Sequence, residues 1–83
     1  MNEKWEKKYI GMIAEFHPDG KIMPTCMIWE DGTRYEIDRV LDVRQAPSLK
    51  AGGLGIRYKC RISGRERYLW LEENRWFVEA RCQ

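Results

Sequence analysis

Catalytic raw material is scarce in this sequence. It holds one histidine, His17, and three cysteines set far apart, Cys26, Cys60 and Cys82. An odd count without a close pair argues against a disulfide framework and against the paired spacing of a zinc site. Cys26 and Cys60 fall in strand-like runs, where a free thiol behaves as a small buried hydrophobe. A reducing cytoplasm is therefore the expected compartment. His17 belongs to the turn His17-Pro18-Asp19-Gly20, where an imidazole is ordinarily solvated, and nothing in the sequence brings a cysteine to it as a nucleophile–base pair requires. Asp31, Asp38, Asp42, Glu72 and Glu73 stand at turns or on charged faces, and the adjacent Glu72 and Glu73 point to opposite sides of a strand. So short a chain is also expected to lack room for a pocket of about 300 Å³ or more. The expectation is no enzyme, no metal and no cofactor.

Long apolar runs are missing as well. None reaches the roughly 18 residues of a membrane span. The start, with Glu3, Lys4, Glu6, Lys7 and Lys8, lacks the apolar segment of a signal peptide, and no membrane partner is expected. What is present, 43% hydrophobic and 34% charged residues, is the balance of a folded domain rather than a disordered one. At 83 residues the chain makes a single domain, 1–83, with a thin core. Ten aromatics, four of them Trp, must supply much of that core. The net charge of +2 hides an asymmetry: residues 1–38 carry −3, residues 39–67 carry +6 and residues 68–83 carry −1. A local excess of this size points to an anionic partner.

Period-2 alternation bounded by turn residues recurs along the chain, the signature of short strands. The runs are Tyr9 to Phe16, Lys21 to Glu30, Thr33 to about Arg44, Ile56 onward to a turn at Ser63-Gly64, then on through Leu71, and Trp76 to Glu79 after a turn near Glu73-Asn74. His17-Pro18-Asp19-Gly20 and Asp31-Gly32 supply the first two turns. Gln45 to Gly55, with Pro47, Ser48 and Gly52-Gly53-Leu54-Gly55, reads as a loop; residues 1–8 and 80–83 read as tails, the first briefly helical through Glu3 and Lys7. The fold class expected is all-β: about six antiparallel strands in a meander, forming a small closed or partly open barrel of SH3-like or OB-like size. Tyr35 and Ile37 share a face that Val40 leaves by one residue, so a β-bulge near Asp38-Arg39 would keep all three inward.

Two-residue turns fix register. With Asp31-Gly32 as the turn, Cys26, Ile28, Tyr35 and Ile37 form the inner face of the first hairpin, and Met27, Trp29, Arg34 and Glu36 the outer one. With Ser63-Gly64 as the turn, Ile56, Tyr58, Cys60, Leu69 and Leu71 face in, while Arg57, Lys59, Arg61, Glu66, Tyr68 and Trp70 face out. This basic and aromatic ladder has two readings. Cation–aromatic and cross-strand pairs stabilise exposed sheet faces; aromatic platforms flanked by positive charge also bind single-stranded nucleic acids. The glycine-rich stretch Lys50 to Arg57 precedes a strand rather than a helix and fits neither usual phosphate-loop spacing, so it reads as a tight connection. Were an anion held there, Lys50 and Arg57 would hold it.

The spacing from Asp19-Gly20-Lys21-Ile22 through Pro24, Trp29, Asp31-Gly32, Tyr35, Ile37 to Val43, Gly52-Gly53 and Ile56-Arg57-Tyr58 to Trp76-Phe77-Val78-Glu79 resembles small bacterial all-β proteins of unassigned function. The resemblance spans most of the chain and implies a fold class only, with no activity or ligand to carry over. The function expected is a non-catalytic binding module for nucleic acid or another polyanion, through Arg57, Lys59, Arg61, Tyr68, Trp70 and Lys50. The alternative is a protein-interaction or scaffold module, homodimeric in one version, through Met27, Trp29, Arg34 and Trp70.

Overall fold

Six antiparallel strands, each beside its sequence neighbour, close into a barrel when the last returns to the first. The computed structural model describes residues 4–47 and 54–82. The strands are β1 (Lys4–Phe16), β2 (Ile22–Ile28), β3 (Arg34–Pro47), β4 (Leu54–Ile62), β5 (Arg65–Glu72) and β6 (Arg75–Cys82). Among the described residues there is no helix, and so none long and apolar enough to cross a membrane. Strands β1 and β3 are long because each serves two neighbours. Residues 4–10 of β1 pair with β6 and residues 11–16 with β2; residues 34–36 of β3 pair with β2 and residues 37–47 with β4. The described parts of the segments read as tails, residues 4–8 and 80–82, are thus paired strand, Lys4 opposite Cys82 and Trp5 opposite Arg81. The supposed loop from Gln45 likewise begins as strand, Gln45 facing Ile56 and Ala46 facing Gly55. Pro47, Leu54 and Gly55 therefore lie within strands, and the rest of that glycine-rich stretch, with Lys50, falls outside the described residues.

Two turn chemistries set the register. The first hairpins use three-residue loops, Pro18-Asp19-Gly20 and Glu30-Asp31-Gly32. His17 N–H donates to the Lys21 carbonyl at 2.9 Å and Trp29 N–H to the Thr33 carbonyl at 2.8 Å. In each, the glycine takes a positive φ, 91° and 87°, and the aspartate carboxylate accepts the amide two residues on. Hydrogen bonding from the Thr33 side chain, and then from the Thr33 amide, holds the Asp31 carboxyl below its usual pKa. The extra loop residue, Glu30, moves the β2–β3 register by one from that of a two-residue turn: Met27 faces Tyr35, Ile28 faces Arg34 and Cys26 faces Glu36. A one-residue slip exchanges a strand's faces, so Met27 is buried while Cys26 and Ile28 are only half-buried. This corrects the inner face expected for the first hairpin on the β2 side. On β3 the expected bulge is present, the register shifting between Ile37 and Arg39, and Ile37 and Val40 both pack against the core, but Tyr35, expected to be buried with them, is 37% exposed.

The later hairpins use two-residue turns with positive φ at both positions, Ser63 (52°) with Gly64 (75°) and Glu73 (51°) with Asn74 (65°). The β4–β5 register follows as expected, from Ile62–Arg65 to Ile56–Leu71. Asn-Gly suits such a turn far better than Glu-Asn, because a left-handed residue with a side chain costs about 1 to 2 kcal/mol where glycine does not. The double change Glu73→Asn with Asn74→Gly is expected to raise unfolding free energy by about 1 kcal/mol. Urea unfolding checks it, and a lower midpoint would show that the Glu73 side chain contributes more than its backbone strain removes.

The interior is built from Tyr58, Cys60 and Ile62 of β4, Leu69 and Leu71 of β5, and Met27 of β2. Tyr58 keeps its hydroxyl satisfied by donating to the Ile22 carbonyl at 2.6 Å, which ties β4 to β2, and its ring packs on Trp76 at 5.0 Å. Burial pushes the Cys60 thiol up to about 11, so it stays protonated as the small hydrophobe its strand position demanded. A second apolar layer lies on the opposite face of the sheet. There Phe77 is fully buried and Trp70 only 3% exposed, their rings stacked at 5.8 Å. Lys7 crosses the Phe77 ring at 5.0 Å to pair with Glu72, and its alkyl stem helps to roof the layer.

Candidate nucleic-acid interface

The outward residues of β4 lie between β3 and β5, so their neighbours are fixed by register. Arg57 stands between Arg44 and Trp70, Lys59 between Asp42 and Tyr68, and Arg61 between Arg39 and Glu66. Arg57 is half-buried, with its guanidinium 4.6 Å over the Tyr68 ring and its Nε buried without a hydrogen-bond partner. Lys59 pairs with Glu66 at 3.4 Å, and Arg44 with Asp42 at 2.7 Å. Tyr68 is 42% exposed and tilts against Trp70 at 5.9 Å. The face thus combines a cation-stacked tyrosine with a row of guanidinium groups.

Sequence reading missed Arg39 and Arg44 as members of this face. Their placement depends on the β3–β4 register, which no short turn announces and which carries two shifts, between Ile37 and Arg39 and between Val40 and Asp42. The signal available was the charge excess itself, which starts at Arg39. The structure sets two like-charge pairs opposite each other, Arg39 with Arg61 and Arg44 with Arg57. Arg44 is relieved by Asp42, whereas Arg39 and Arg61 are exposed and form no ion pair among the described residues. The carboxylate facing Arg61, that of Glu66, is turned to Lys59. Like charges directly opposite on a sheet are destabilising when nothing compensates them.

The other expected contact residues separate. Trp70 sits within the second apolar layer and is only 3% exposed, so its ring is not an open stacking platform. Met27 is a core residue, the register of the first hairpin having turned it from the outer face expected for it to the inner one. Trp29 is half-buried against the core with Lys8 over its ring at 5.1 Å, while the exposed Arg34 stands opposite Ile28 rather than Trp29, so the two no longer share a face. Lys50 lies outside the described residues. No group of three or more His, Cys, Asp or Glu side chains placed to hold a metal occurs among the described residues. The expectation that the chain has no room for a pocket is overturned by a cleft of about 840 Å³ beside β5 and β6.

Fold and face together define a small closed β-barrel with a basic, partly aromatic sheet face. No family model, no curated protein and no solved structure matches the chain.

Proposed function

We propose that the protein is a non-catalytic binding module that holds a single-stranded nucleic acid or a similar polyanion across the outward face of β3, β4 and β5. The observation that carries this reading is the unrelieved pair Arg39 and Arg61, set opposite each other on neighbouring strands. Their repulsion is a cost to the free protein that a bridging phosphate removes. Lys59 and Arg57 extend the positive row, and Tyr68 offers an exposed ring beside it. Two free thiols among the described residues, Cys26 and Cys60, fit a cytoplasmic setting.

Fluorescence anisotropy with a short single-stranded DNA and its RNA counterpart at low salt is the direct test. Binding is expected to be tolerant of sequence and to weaken steeply with salt. Four engaged cations give a log–log slope of roughly −3, at about 0.7 per phosphate for single strands. No binding at low salt, or binding that ignores salt, would sink the proposal.

A further inference from the structure

Strands β5 and β6 are neighbours for only part of their length. Their ladder consists of Glu72–Arg75, Leu71–Trp76 and Trp70–Phe77, and stops there. Both strands nevertheless continue: β5 from Arg65, paired on its other side with β4, and β6 to Cys82, paired on its other side with β1. Two strand edges are thus left facing an opening, each with backbone groups that no sheet neighbour uses. The cleft of about 840 Å³ occupies this opening, with Met27, Trp29, Ile62 and Val78 on its apolar walls. Trp70 also lines it, and its indole N–H is buried with no acceptor.

The charges at the cleft are specific. Arg65 and Arg67 face the buried Ile62 and Cys60 across the β4–β5 ladder, so they share the inward side of β5. They remain exposed because β6 has parted from β5 at this point, and neither forms an ion pair among the described residues. The other charged groups at the cleft are engaged: Lys8 with Glu30 at 2.8 Å, Glu66 with Lys59, and Glu79, which is half-buried. Two residues along a strand span about 7 Å, the spacing at which alternate residues of an added strand recur.

We infer that the cleft between β5 and β6 receives an extended acidic peptide as an added strand, with carboxylates two residues apart meeting Arg65 and Arg67. Backbone hydrogen bonds to the open edges supply register and the arginines supply selection, as in other cases of strand addition. A nucleic acid lacks the alternating amide pattern these edges require, and its expected site, around Arg39 and Arg61, lies on the opposite side of the sheet.

The test uses the full chain and a fluorescein-labelled ten-residue peptide of alternating glutamate and valine, with an alternating arginine–valine peptide as control. Anisotropy should rise for the acidic peptide alone. Amide hydrogen exchange should slow at residues 65–69 and 78–81 when it binds. The double variant Arg65→Glu with Arg67→Glu should weaken binding about tenfold or more while oligonucleotide binding persists. Because those changes could disturb the strand, Arg65→Gln with Arg67→Gln is measured alongside, with circular dichroism as the folding check. No binding of the acidic peptide, unchanged affinity in both variants, or protection confined to β2 and β3 would overturn the proposal. A concentration-dependent dimer protecting the same amides without peptide would overturn it too, by making a second copy the occupant.

Discussion

Phe77→Ala is expected to lower the unfolding free energy by about 3 to 5 kcal/mol, the range for emptying a buried aromatic site. Phe77 is fully buried although it lies outside the interior cluster, so its loss strikes the second layer directly. Trp70 stacks on one side of it with planes 9° apart, Tyr9 meets it edge-on at 5.9 Å, and Lys7 lies above it. Removing the ring opens a cavity under Lys7 and strips Trp70 of its stacking partner. It also weakens one of the three rungs that close β5 on β6. A domain of this length has a total stability of roughly 4 to 12 kcal/mol, so the variant is expected to be largely unfolded on modest warming. Urea unfolding measures the loss. Tyr9→Ala, at a ring that is 43% exposed, provides the comparison and should cost far less. Equal losses at the two positions would mean that the layer is held by Tyr9 and the Lys7–Glu72 pair rather than by the Phe77–Trp70 stack.

The existence of that layer also marks where the sequence could be read and where it could not. Alternation placed the strands and the barrel, because one thin core demands a period of two. The β4–β5 register is the one that a Ser63-Gly64 turn implies, although the sequence alone also allowed a turn at Gly64-Arg65. Asp31-Gly32 did not fix its hairpin, because the same dipeptide ends a three-residue loop as readily as it fills a two-residue turn. The choice depended on Asp31 bonding the Thr33 amide, and the difference exchanged the faces of β2. The bulge near Asp38 was legible, as only an extra residue keeps Ile37 and Val40 on one side. Trp70 was placed on the correct face and given the wrong exposure. What covers it, Phe77, stands opposite it across the Glu73-Asn74 turn, but alternation around one core gives no sign that the outward face of this hairpin carries a second apolar layer. The basic face was found in part: Arg57, Lys59 and Arg61 are local to one hairpin, whereas Arg39 joins them through a long-range pairing interrupted by two shifts.

Arg39→Glu separates a binding role for that face from a structural one, because the two predict opposite signs. Arg39 lies on β3 opposite Arg61, with no ion-pair partner among the described residues, beyond the point where β3 leaves β2. A glutamate there would face Arg61 across the ladder and replace repulsion with an opposite-charge pair. Cross-strand pairs of that kind contribute about 0.2 to 1 kcal/mol, so unfolding free energy is expected to rise slightly. Polyanion affinity should move the other way. One cation is lost and one negative charge is added at the centre of the proposed contact, and a fall of about tenfold or more at low salt is expected, with a shallower salt dependence. Arg39→Gln removes the contact without creating the new pair, so it should weaken binding less and leave stability near that of the parent. If Arg39 instead serves only the fold, both variants should lose stability and bind an oligonucleotide as the parent does. That pattern, read from urea midpoints and anisotropy on the same preparations, would remove the reason for placing a nucleic acid on this face.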